Sequence, residues 1–136
     1  MAPRTATGER VAPGAPRGFT LIELLVVMTI IATLLMIAVP RYFRSLDRSR
    51  EAVLREDLFV MRDAIDKYHA DLARYPETLG SLVEQHYLRG VPVDPQTRSS
   101  ETWVTIANED PELPGIRDVH SGSAAMASDG TAFAAW

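Results

Sequence analysis

Gly18-Phe19-Thr20-Leu21-Ile22-Glu23 runs directly into an apolar stretch, residues 24–39, that closes at Pro40. Between Phe19 and Pro40 the only ionisable side chain is Glu23. As a helix, residues 19–39 would span roughly 31 Å, close to the ~30 Å hydrocarbon core of a bilayer. A soluble core helix would carry a polar face at helical spacing. Past Glu23 only Thr29 and Thr33 interrupt the apolar surface, and a threonine hydroxyl can bond back to its own helix. The stretch reads as a transmembrane helix. The rival reading, a secretory signal peptide, needs an apolar core of about 7–15 residues and a small-residue cleavage site after it. Val39-Pro40-Arg41 offers no such exit. A carboxylate at the edge of a membrane segment is costly and points to function.

The 136 residues suffice for one small domain and one membrane segment. The chain holds 14 Lys+Arg against 18 Asp+Glu, a formal net charge of -4. The charges are unevenly placed. Residues 1–18 carry Arg4, Arg10 and Arg17 against Glu9, and they are rich in Pro, Gly, Ala and Thr, with little reason to fold. They read as a short basic cytoplasmic tag. The remainder is acidic, which argues against a nucleic-acid partner, since phosphate binding needs clustered Lys and Arg. The absence of cysteine excludes disulfides and Cys-based metal sites. Counting Lys and Arg does not settle orientation, because Arg41, Arg44, Arg48 and Arg50 follow the segment that Arg4, Arg10 and Arg17 precede.

Beyond Pro40 the pattern turns amphipathic. Leu46, Val53, Leu54, Leu58, Met61, Ile65, Tyr68 and Leu72 follow helical steps. The spacing predicts one rod continuing to about Ala73, where Tyr75-Pro76 stops it. The apolar steps are too irregular for a free coiled coil, so the stripe needs a cover. Residues 78–85 read as a short helix with Thr78 as N-cap and Leu79, Leu82 and Val83 on one face. A proline-pinned connection follows, residues 87–95. Residues 103–107 are the best strand, residues 108–115 an acidic loop, and residues 116–119 and 131–136 two further short strands, with a turn at Asp129-Gly130. The expected fold class is α+β: a long N-terminal helix, transmembrane then amphipathic, packed on a small antiparallel β-sheet head.

Residues 18–27, Gly-Phe-Thr-Leu-Ile-Glu-Leu-Leu-Val-Val, resemble the leader junction and N-terminal segment of type IV pilins and the pseudopilins of type II secretion. The order Tyr75-Pro76, a Leu-rich short helix, Tyr87-Leu88, Pro92-x-Asp94-Pro95 and an aromatic strand resembles the major, G-type pseudopilins, as do Asp118-Val119-His120-Ser121-Gly122-Ser123, Asp129-Gly130-Thr131 and Trp136. The resemblance implies a leader (1–18), a membrane helix (19–40), its amphipathic continuation (41–74) and a periplasmic head (75–136). It implies cleavage between Gly18 and Phe19 by a prepilin peptidase, then N-methylation of Phe19. It also implies an inner-membrane location, single-pass, with a cytoplasmic N-terminus and periplasmic C-terminal head. Its partners would be other copies in a helical filament, other pseudopilins, the peptidase/methylase, the inner-membrane secretion platform and, before assembly, membrane lipid. Glu23 and Pro40 would serve assembly. Cleavage creates an α-amine one helical turn from Glu23, and each charge lowers the cost of the other at membrane depth.

Two departures stand out. Relatives often continue Asp-Pro with Trp-Gly, whereas Gln96-Thr97 follows Asp94-Pro95 here. Relatives also often carry glycine at the position of Ala32, and alanine favours helix by ~1 kcal/mol. The resemblance further implies a calcium loop near the C-terminal sheet. Calcium takes about six to eight oxygens, and this chain offers Asp118 and Asp129, with Ser121, Glu109 and Asp110, but no dense Asp/Asn/Gly run. The sequence leaves calcium open and assigns no metal site.

No catalytic motif is present: there is no His-Glu-x-x-His, P-loop or dinucleotide fingerprint. His69, His86 and His120 are widely separated, so no enzyme activity is expected. The alternative within the resemblance is a type IV pilin subunit of a surface fibre. The Pro92-x-Asp94-Pro95 region and the missing cysteine pair favour the secretion branch. A membrane-anchored enzyme or binding module would leave Gly18, Phe19 and Glu23 unexplained and has little room for a pocket.

Overall fold

The computed structural model describes Gly14 and residues 18–136. The expected leader, residues 1–18, therefore lies outside the described residues except for Gly14 and Gly18. The chain divides into two compact units, Met1–Val39 and Pro40–Trp136. One helix, α1 (Leu21–Leu72), is 52 residues long and contains Pro40.

In the first unit α1 is apolar and uncovered. Leu21, Ile22, Leu24, Leu25, Met28, Ile30, Leu34 and Met36 are all exposed. Helix α1 is long and apolar enough to cross a membrane. Its two threonines are neutralised locally, as expected: Thr29 Oγ1 donates to the Leu25 carbonyl at 2.8 Å and Thr33 Oγ1 to the Thr29 carbonyl at 2.7 Å.

In the second unit α1 becomes a core element and ends at Leu72. Ala73 then takes φ 51° and donates its N–H to the His69 carbonyl at 2.9 Å. This left-handed residue closes the helix as a C-terminal cap does. Leu54, Leu58, Met61, Ala64, Ile65 and Tyr68 are buried. Val53 and Leu72, expected on the covered stripe, are exposed, while Glu51 and Ala64 take buried positions. The covered face is thus rotated slightly from the one the largest apolar residues suggest.

Helix α2 (Leu79–Glu84) starts where expected, with the Thr78 side chain accepting from the Ser81 N–H. Leu82 is buried, and Leu79 and Val83 pack at its margin. Strands β1 (Val104–Ala107) and β2 (Ile116–His120) form a two-stranded antiparallel sheet. Register runs from Val104 opposite His120 to Ile106 opposite Asp118, then jumps so that Ala107 faces Ile116. Arg117 is the extra residue of this bulge. Strict alternation would send Ile116 and Val119 to opposite faces, and the bulge lets both be buried. β1 itself buries no side chain. The buried aromatic is the preceding Trp103, whose Nε1 donates to the Pro92 carbonyl at 2.8 Å.

The strand expected over residues 131–136 does not form. Ala132 makes a single bridge to Met126, and Phe133–Ala135 is a 3-10 turn. The alanines on either side of Phe133 give a strand no apolar alternation. Phe133 is buried instead, with its ring against that of Trp136. The Asp129-Gly130 turn is present, with Gly130 at φ 85°. A Cβ on Gly122 would overlap the Thr102 carbonyl oxygen, so only glycine fits there.

Candidate assembly and processing site

Helix α1 opens at the segment that carries the sequence signal. The Glu23 N–H donates to Thr20 Oγ1 at 3.2 Å and the Leu24 N–H to the Thr20 carbonyl at 3.2 Å. Thr20 therefore caps α1, and Glu23 sits at the third helical position of a Thr-x-x-Glu pattern. A negative charge there complements the positive end of the helix dipole. Gly18 and Phe19 precede the cap in non-helical backbone, with the Phe19 ring 86% exposed. The Gly18-Phe19 junction thus lies outside the helix and is exposed. Among the described residues the Glu23 carboxylate has no hydrogen-bond or ion-pair partner.

The second unit holds a polar constellation that sequence reasoning missed. Asp94 is fully buried: Oδ1 accepts from the Gln96 N–H at 2.7 Å, and Oδ2 accepts from the Ser121 hydroxyl at 2.6 Å. Glu51 is buried too, accepting from the Ser128 N–H at 2.6 Å and the Ser128 hydroxyl at 2.7 Å. Arg62 Nε donates to Asp118 Oδ1 at 2.7 Å, and its Nη2 donates to the main-chain oxygens of Val119 at 2.9 Å and Trp136 at 2.7 Å. The Ser121 hydroxyl is thus directed to Asp94, and the neighbouring His120 Nδ1 meets the Trp136 oxygen. Glu51 was detectable, since it precedes Leu54 by three residues and Leu58 by seven, on the buried stripe. Nothing local marks its distant partners.

Residues 15–39 match the family model described as the prokaryotic N-terminal methylation motif. A curated relative named type II secretion system core protein G, from Klebsiella pneumoniae, is 34% identical over 95 residues, covering 58% of this chain and 68% of the relative. The chain belongs to the core protein G family. The core protein G of Pseudomonas aeruginosa is 33% identical over 94 residues, 57% of this chain and 66% of that protein. That of Dickeya chrysanthemi is 29% identical over 98 residues, 70% of this chain but only 62% of its own length. The chain thus spans about two thirds of the length of its core protein G relatives. No solved structure matches. The surface-fibre reading finds no support in these core protein G names.

A core protein G resemblance raised calcium, with Asp118 and Asp129 as candidate ligands. Their surroundings do not fit the ion. Burial raises the Asp118 pKa, but the Val119 N–H, the bonded Arg62 and the charges of Arg62 and His120 outweigh it and hold the carboxyl below its ordinary value. Asp129 is lowered by the Thr131 hydroxyl and N–H, against slight desolvation, and by Arg55. Both carboxylates already face N–H and O–H donors. Among the described residues no group of three or more His, Asp or Glu side chains is placed to hold a metal.

Proposed function

We propose that this chain is a major pseudopilin, a structural subunit of the type II secretion filament. The observation carrying it is the Gly18-Phe19-x-x-x-Glu23 junction at the capped start of an uncovered apolar helix, in a core protein G family member. A prepilin peptidase cuts between Gly18 and Phe19, and Phe19 becomes N-methylphenylalanine. The helix remains in the inner membrane, with the N-terminus cytoplasmic and the head periplasmic. Subunits then leave the bilayer laterally, and their apolar stems bury one another as the filament core. The new Phe19 amine of one subunit meets Glu23 of its neighbour, fixing register. Pro40 marks the membrane exit. The filament pushes secreted proteins outward, with other pseudopilins and the inner-membrane platform as partners. The chain makes and breaks no bond itself; it is the substrate of the peptidase and methylase.

Intact mass of the chain co-expressed with a prepilin peptidase tests the reading. A product beginning at Phe19 and heavier by one methyl group is expected. A product retaining Met1, or beginning after Val39, overturns it.

A further inference from the structure

Three polar side chains of α1, Glu51, Arg55 and Arg62, project from the helix at steps of four and seven, so they share a face. Together they tie α1 to β2 and to the segment that follows it. Glu51 takes both the N–H and the hydroxyl of Ser128, at 2.6 and 2.7 Å. Arg55 lies 3.7 Å from Asp129 Oδ2, and its guanidinium stands 4.1 Å from the centre of the Trp136 ring. Arg62 joins the Asp118 carboxylate to the Val119 and Trp136 main-chain oxygens. The Arg62 contacts form an oxygen set of the type a bound cation gathers: one carboxylate and two main-chain oxygens. Here a guanidinium occupies the centre. It is permanently charged, presents its donors in a fixed fork, and cannot be removed by a chelator.

We propose that the grip of Glu51, Arg55 and Arg62 replaces a metal cross-link in this head, so that residues 121–136 hold their fold without a divalent cation. This stands on the Pro40–Trp136 unit alone and does not depend on the cleavage reading.

The full chain in detergent is the material for the test. Its thermal unfolding and the amide exchange of residues 121–136 are followed in excess EDTA and again in millimolar CaCl2. The expected result is the same melting temperature and exchange in both. A higher melting temperature or slower exchange in CaCl2 overturns the proposal. Arg62→Met is expected to lower the melting temperature by about 4–8 °C and to speed exchange across residues 121–136, with Arg62→Lys recovering only part. Unchanged exchange in Arg62→Met also overturns it. Should Arg62→Met not fold, Arg55→Gln decides: exchange over residues 128–136 several-fold faster supports the grip, and unaltered exchange refutes it.

Discussion

Glu23 and Glu51 are the same side chain on one helix, α1, and their surroundings are opposite. Glu51 is 6% exposed and has both carboxylate oxygens engaged by Ser128. Glu23 is exposed and unpartnered among the described residues. The contrast extends to the two units. In the head, no buried side-chain nitrogen or oxygen among the described residues lacks a partner. In the apolar stem, the Thr29 and Thr33 hydroxyls are closed on the helix itself and the apolar surface is left open. A carboxylate satisfied within its own chain maintains a fold. One left unpartnered on an apolar surface is what the proposed pairing with a neighbouring subunit would use.

The sharpest way to break this comparison is to delete each charge. Glu23→Ala should abolish incorporation into filaments, since the neighbour's amine would be buried unpaired at a cost of ~3–5 kcal/mol. Cleavage and head melting should be unchanged. Filament cross-linking at wild-type levels would refute the pairing.

Asp94→Ala should act the other way, on the head alone. It strands the buried Ser121 hydroxyl and the Gln96 N–H, and each orphaned group costs about 1–3 kcal/mol. Denaturant unfolding should show a loss of about 3 kcal/mol. A loss within error would show that water replaces the carboxylate. Glu51→Gln is milder, because the amide keeps one acceptor for Ser128. A loss of about 1–2 kcal/mol is expected, whereas Glu23→Gln should leave the same melt untouched.

Acid should separate the units further. The Asp118 and Asp129 pKa values lie below the ordinary 3.8 in the folded head. Their stabilisation is complete above that value and is lost as pH falls through the folded values. Head stability should therefore decline below about pH 4, and Arg62→Met should decline less steeply. Asp57 has the opposite sign. Burial, then the charges of Asp94 and Glu56, raise its pKa, so it favours the fold while protonated and opposes it once pH rises through its folded value. Asp57→Asn should stabilise by less than about 1 kcal/mol at neutral pH, and the gain should vanish in acid. A gain that persists at low pH would place its origin elsewhere.

The stem was legible because its signal is local. Length, hydropathy and the stop at Tyr75-Pro76 all lie along the chain, and α1 ends within a residue of the expected place. The Thr78 cap and the Asp129-Gly130 turn were read for the same reason. The head's polar frame was not. Glu51 and Ser128 lie 77 residues apart and Arg62 and Asp118 lie 56 apart, separations at which no periodicity carries information. The terminal strand failed for a related reason. A short strand was expected over residues 131–136, but the buried Phe133 ring and the Arg62 bond to the Trp136 main-chain oxygen accompany a 3-10 turn instead.

The threonines of the stem carry one last consequence. Because Thr29 and Thr33 spend their hydroxyls on carbonyls four residues back, the stem presents neighbours with a nearly frictionless hydrocarbon shaft. Such shafts attract one another by dispersion and close side-chain packing, with no polar group after Glu23 left to mark an axial offset. In the proposed filament that choice of offset falls to the one charge at the shaft's end, Glu23.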